Sequence, residues 1–125
     1  MPKTILIVDD STSMRQMVGF TLKSAGFQVI EGSNGQEALQ NLEQAPGGKV
    51  DLIITDLNMP VMDGMAFTKA VRARVETKFT PVLVLTTEST DQRKAEGKAA
   101  GATGWIVKPF QPETLLQVVG RVLPS

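Results

Sequence analysis

Residues Asp51–Gly64 read DLIITDLNMPVMDG, and this stretch decides the fold. Leu52, Ile53, Ile54 and Thr55 form a short apolar, β-branched run that stops at Asp56. Such a run predicts a strand covered on both faces, as strands are inside parallel sheets. The segment after it is broken by Pro60 and Gly64, which predicts a loop. Asp56 therefore stands where a central strand meets its loop. In open α/β sheets ligands bind along that edge.

Four further apolar runs flank this one. Ile5-Leu6-Ile7-Val8 ends on Asp9-Asp10, Val82-Leu83-Val84-Leu85 ends on Thr86, and Gly104-Trp105-Ile106-Val107 ends on Lys108. Gln28-Val29-Ile30-Glu31 is partly polar, as an edge strand would be. Helices are predicted between them. Ser11, Thr12 and Ser13 offer caps for a first helix with Met14, Met17, Val18, Thr21 and Leu22 on one face. Gly26 ends that helix. Ser33 and Asn34 cap a second, with Ala38, Leu39 and Leu42 inward, and Pro46-Gly47-Gly48 breaks it. Gly64 opens a third, with Phe67, Ala70, Val71 and Val75 spaced along one stripe. The fourth, over 91–100, has only alanines to bury and carries Gly97 inside it. The last begins at Pro112 and presents Leu115, Leu116, Val118, Val119, Val122 and Leu123.

Five alternations with short loops predict a doubly wound α/β domain with a five-stranded parallel sheet. Right-handed crossovers favour the flavodoxin-like order 2-1-3-4-5, with its switch point between strands 1 and 3. A chain of 125 residues is expected to form a single domain over 1–125 with no output domain.

Composition excludes several functions. The sequence has no cysteine and no histidine. That removes disulfides, Cys- or His-ligated metals, Ser-His and Cys-His catalysis, and any role as a phosphohistidine carrier. Thirteen basic residues balance thirteen acidic ones, so charge points to neither nucleic acid nor an anionic membrane. No apolar run approaches the ~18 residues of a membrane span. Met1-Pro2-Lys3 leads straight into a strand rather than a signal peptide, so a cytoplasmic location is expected. GxGxxG and GxxxxGK[ST] are absent, and Gly47-Gly48-Lys49 lacks the leading Gly and the Ser/Thr of the latter.

Asp9, Asp10 and Asp56 are placed around one crevice by the predicted order. Two such charges ~4 Å apart repel by about 4 kcal/mol at an effective dielectric near 20. Compensation must come from raised pKa values or a cation. Oxygen-only ligands select Mg²⁺ or Ca²⁺, and Mg²⁺ fits better because it takes few protein ligands and keeps exchangeable waters. With Mg²⁺, Asp56 is a plausible nucleophile toward a phosphoryl group. Lys108 could supply a cation and Thr86 a hydroxyl at the same rim. Taken singly, these residues read more plainly. Asp9-Asp10 can be an acidic helix start, Thr86 a turn hydroxyl, Lys108 a solvated lysine and Trp105 packing. Met59, Met62 and Met65 read as core filling, and Asp63 as a turn former with Gly64.

Together VDDSTSMR, DLNMPVMDG, TTE and KPF, in order at four strand ends, resemble the receiver domain of two-component response regulators. Within that family the chain is most similar to the free-standing chemotaxis regulators of the CheY type. The resemblance implies that Asp56 accepts a phosphoryl group from a phosphohistidine on a CheA-like sensor histidine kinase. It implies Mg²⁺ held by Asp10, Asp56 and the carbonyl of Asn58, with Asp9 assisting through water. Lys108 would pair with the phosphate, commonly with a cis bond to Pro109. Thr86 would turn toward the phosphate and Trp105 would move with it, while Asn58 and Glu88 tune hydrolysis.

The implied product is a signalling switch, not an enzyme, although it catalyses its own phosphorylation and dephosphorylation. Its partners would be the kinase, a downstream target such as the flagellar motor switch, and a phosphatase. Relay intermediate and phosphate sink are the alternatives within the family. An Asp-nucleophile phosphatase is the alternative outside it, but its general acid position holds Asn58. From the chain itself, the alanine-only fourth helix is expected to be of low stability and so to move. The face made by helix 4, strand 5 and helix 5 would then change its partner binding.

Overall fold

The computed structural model describes residues 3–123; Met1 and Pro2 at one end and Pro124 and Ser125 at the other lie outside the described residues. The apolar runs become five parallel strands: β1 (Thr4–Val8), β2 (Gln28–Gly32), β3 (Leu52–Thr55), β4 (Val82–Thr86) and β5 (Gly104–Val107). They pair in the order β2-β1-β3-β4-β5, the arrangement expected from right-handed crossovers. Five helices alternate with them: α1 (Thr12–Ser24), α2 (Gly35–Glu43), α3 (Gly64–Ala73), α4 (Asp91–Ala100) and α5 (Pro112–Val122).

Strand alternation splits the core in two. Ile5, Ile7, Leu52, Ile54, Leu83, Leu85 and Ile106 meet Val18 and Leu22 of α1 and Leu115 and Val119 of α5. On the opposite face Leu6, Val8, Ile53 and Val82 meet Ala38 and Leu42 of α2 and Phe67 and Val71 of α3. β3 is fully buried, which is why its sequence shows no polar alternation. Met59 and Met62 pack against the second cluster, in the filling role their type suits.

Side-chain caps set the helix starts. Ser11 Oγ accepts from the Met14 amide, Asn34 Oδ1 from Glu37, Asp63 Oδ1 from Ala66 and Thr90 Oγ1 from Arg93. Glu37 reaches back past the Asn34 cap to accept from the Ser33 hydroxyl and amide, and these bonds lower its pKa. Asp63 is thus the cap of α3.

Three helix readings need correction. Val75 does not continue the α3 stripe. Arg74 adopts extended backbone (φ −95°, ψ 134°), α3 ends before it, and Val75 falls in a 3₁₀ turn with 87% of its surface exposed. On α1, Met17 is exposed and Gly19 takes an inward place beside Val18 and Leu22. On α4 the buried residues are Gly97 and Ala100, while Ala95 and Ala99 face outward. Gly97 has a packing reason. A Cβ there would lie 2.5 Å from Cζ3 of Trp105, so the missing side chain is what admits the indole against α4.

Candidate functional site

The ends of β1 and β3 place the acidic residues. The Asp9 amide donates to Gly32 of β2 (3.1 Å) and the Asp56 amide to Val8 of β1 (2.8 Å), so both continue the sheet ladder. Each carboxylate then projects from the last hydrogen-bonded position of a buried strand. Asp9 is buried, Asp56 is partly buried and Asp10 is exposed. Oxygen atoms of the three carboxylates lie within 4.8 Å of one another. The crevice expected from the strand order is therefore real.

Lys108 reaches this cluster from the other side. Its amide donates to the Thr86 carbonyl (2.8 Å), which ties the end of β5 to the end of β4. Its Nζ lies 3.1 Å from Asp9 Oδ2 and 3.6 Å from Asp56 Oδ1. The Lys108–Pro109 bond is cis, as the family resemblance implied. Asp9 Oδ1 accepts from the Ser11 amide (2.9 Å), and Asp56 Oδ1 from the Leu57 amide (2.8 Å). Burial pushes the Asp56 carboxyl above its ordinary range; Lys108 opposes that shift, while Asp9 and Asp10 add to it.

Three carboxylates against one ammonium leave the pocket short of positive charge. An oxygen-only donor set with this deficit fits a hard divalent cation, and Mg²⁺ in particular.

Gly64 shapes the loop around Asp56. Its amide donates to the Leu57 carbonyl (2.8 Å), and a Cβ on it would run into the Asp56 carbonyl and the Leu57 backbone. At Val61 the chain makes a three-residue turn, with Met62 N–H donating to Pro60 (2.7 Å) and Val61 at φ 71°. A β-branched residue in that region stores strain in the loop that follows Asp56.

The remaining expected residues assemble on Glu88. Thr86 is buried, and its Oγ1 accepts from the Glu88 amide (3.3 Å). The half-buried Trp105 donates its indole N–H to the Glu88 carbonyl (2.8 Å). Asn58 Nδ2 donates to Glu88 Oε1 (3.4 Å). Asn58, Thr86 and Glu88 thus gather at one rim with the carboxylates and Lys108, and Trp105 is joined to it through the Glu88 carbonyl.

Two arginines were missed. Arg15 donates to the Asp9 carbonyl (2.6 Å) and pairs with Glu31 (3.2 Å), fixing the start of α1 against β1 and β2. Arg93 pairs with Glu88 (2.6 Å) and with Glu96 (2.5 Å). Its hydrogen bond holds the Glu88 carboxyl below the ordinary carboxylate range, with Asn58 contributing in the same direction. The i,i+3 spacing to Glu96 was a legible signal for Arg93; the pair to Glu88 depends on loop geometry.

Sheet order, acidic crevice, facing lysine and buried threonine define a doubly wound α/β protein with a polar pocket at its topological switch point. The profile of the response regulator receiver domain matches residues 5–120, and the chain belongs to that family. Chemotaxis protein CheY-3 of Vibrio cholerae is 40% identical over 119 residues, covering 94% of this chain and 89% of that protein. The solved structure of V. cholerae chemotaxis protein CheY4 aligns with a TM-score of 0.93 at 54% identity, over 98% of this chain and 100% of that one. The receiver domain of the sensor histidine kinase PA1611 from Pseudomonas aeruginosa, solved with a magnesium ion coordinated in its active-site cleft, aligns over 100% of both chains. Its TM-score is 0.88 at 26% identity. Among the described residues no helix is long and apolar enough to cross a membrane.

Proposed function

We propose that this receiver is a cytoplasmic phosphorylation switch of a chemotaxis-type two-component system, with Asp56 as phosphoacceptor. The observation that carries the reading is the convergence of the Asp9, Asp10 and Asp56 carboxylates on Lys108 at the switch point. A carboxylate oxygen of Asp56 attacks the phosphorus of a phosphohistidine on a sensor kinase. The P–N bond breaks, the imidazole leaves and takes up a proton, and an aspartyl phosphate remains.

Lys108 follows the charge, exchanging its carboxylate partners for phosphoryl oxygens. Thr86 offers a hydroxyl proton to the phosphoryl group, and its turn in that direction gives up the Glu88 amide. Asp10, Asp56 and the Asn58 carbonyl would hold Mg²⁺, with Asp9 assisting. That ion, when bound, supplies neutralisation of charge on the transferring group. The receiver of PA1611, solved with a magnesium ion in its active-site cleft, supports a metal at this pocket. Asn58 is an amide engaged with Glu88, so the pocket offers no general acid two residues beyond Asp56. That favours a switch over a turnover phosphatase.

Movement at Thr86 would pass through Glu88 to Trp105 and α4, and change which proteins bind the α4, β5 and α5 face. The relatives named as chemotaxis proteins support the chemotaxis assignment, and the proposed partners are a kinase of the CheA type and a flagellar target. Trp105 is the single tryptophan, so its emission is the test. Mg²⁺ followed by beryllofluoride should give a saturable change that Asp56→Asn abolishes. Emission indifferent to both additions would overturn the switch.

A further inference from the structure

Glu88 is bonded at every polar group it has. Its amide goes to Thr86, its carbonyl to Trp105, one carboxylate oxygen to Asn58 and the other to Arg93. Three of those four partners belong to the pocket or to the aromatic beside it. The fourth does not. Arg93 stands in the first turn of α4, with its own amide on the capping Thr90 (3.2 Å). Its planar fork divides between Glu88 Oε2 from the β4–α4 loop and Glu96 Oε2 one turn along α4. The result is a continuous polar chain from Asn58, two residues beyond the phosphoacceptor, through Glu88 and Arg93 to Glu96.

Surface ion pairs usually contribute little to stability, and by that measure Arg93 would be ornamental. Its partner makes it otherwise. Arg93 holds one Glu88 oxygen at 2.6 Å from the α4 side while the other meets Asn58. The Asn58–Glu88 contact joins the loops that follow β3 and β4, the neighbouring strands bordering Asp56. At 3.4 Å it is weak and depends on where Glu88 is placed.

We propose that Arg93 is a positioning residue for the phosphorylation cycle: by holding Glu88 from α4 it keeps the Asn58–Glu88 rim closed and slows hydrolysis of the aspartyl phosphate. This rests on the assignment of Asp56 as phosphoacceptor. In the step it controls, a water oxygen bonds to phosphorus as the bond from phosphorus to the Asp56 oxygen breaks. Inorganic phosphate leaves, the carboxylate is restored and the proton of the water passes to solvent. With the fork removed, Glu88 swings free, Asn58 loses its partner and water reaches the phosphorus more readily. The same clamp ties the state of the rim to the first turn of α4, so partner binding on α4 would alter the lifetime through Arg93.

The test uses the full chain, phosphorylated with acetyl phosphate and Mg²⁺, freed of donor, and followed by intact mass over time. Arg93→Ala should shorten the lifetime by about two- to fivefold, the scale of one exposed charged contact. Arg93→Lys, a point charge that serves one carboxylate at a time, should restore part of it. In a Glu88→Gln background Arg93→Ala should add nothing, because the partner it positions is already changed. A merely structural arginine would shift the unfolding midpoint slightly and leave the lifetime alone. Equal lifetimes in wild type and Arg93→Ala, or effects of the two substitutions that simply add, would overturn the proposal. Should the wild type take no phosphoryl group, the assignment of Asp56 fails instead. The clamp is then judged on Trp105 emission in the unmodified protein, where an Arg93→Ala spectrum identical to wild type overturns it.

Discussion

The two walls of the pocket are built differently. The wall formed by β1 and β3 carries Asp9, Asp10 and Asp56 just past the ends of strands whose residues, Thr4 excepted, are buried. The wall formed by the β4–α4 loop, Trp105 and α4 is held by polar links that meet on Glu88. Among the described residues α4 adds none to either cluster, whereas α5 adds Leu115 and Val119. The contrast teaches a division of labour. Carboxylates that repel one another need a rigid support, and packing on two faces supplies it. A segment that must rearrange is better held by several weak, exchangeable contacts.

The largest effect should come from cutting into the rigid wall. Ile53→Ala removes a fully buried side chain and should cost about 2–5 kcal/mol in urea unfolding, whereas Ala99→Gly on α4 should cost only about 1 kcal/mol. Comparable losses would break the comparison.

Gly97→Ala sharpens it. Helix propensity alone predicts a gain of about 1 kcal/mol. The contact with Trp105 predicts a net loss of about 1–3 kcal/mol together with a shift in tryptophan emission. A more stable variant with unchanged emission would show that α4 is not pinned by the indole.

Asp56→Asn probes the repulsion stored in the rigid wall. The folded-state pKa of Asp56 is raised, chiefly by burial, so its ionisation opposes folding at neutral pH. In EDTA the asparagine variant should therefore be the more stable protein at pH 7. The difference should shrink as pH falls through the raised folded-state pKa and vanish below the unfolded carboxylate value of about 4. Added Mg²⁺ should stabilise wild type more than the variant, because mass action follows binding to the native state. Thermal melts across pH and metal would read both.

The smallest effect lies in the β3–α3 loop, at Val61. Val61→Gly loses no buried contact and relieves a β-branched residue at φ 71°, so it should raise stability by about 1 kcal/mol. An unfolding midpoint at or below wild type would mean the turn at Val61 is not strained.

Much of the rigid wall was legible in the sequence. Strands covered on both faces leave uninterrupted apolar runs, and the acidic residues that end them mark the rim, so Asp9, Asp10 and Asp56 could be placed before any coordinates. The other wall was less so. Glu88 and Asn58 are thirty residues apart, and their contact follows from how two loops leave adjacent strands. Gly97 reads as a defect in a helix until the indole that occupies its space is seen. Val75 fitted the helical period, but no Gly or Pro announces the extended backbone at Arg74 that ends α3. Periodicity reports burial within an element; it carries little about where a short helix stops or which loop residues meet.

The central claim is that Asp56 takes a phosphoryl group, and intact mass after incubation with acetyl phosphate tests it most directly. In wild type with Mg²⁺ the mass should rise by one phosphoryl group, and the rise should be absent with EDTA or in Asp56→Asn. A wild-type chain whose mass does not change with Mg²⁺ present, or an Asp56→Asn variant that gains the same mass, would contradict the account.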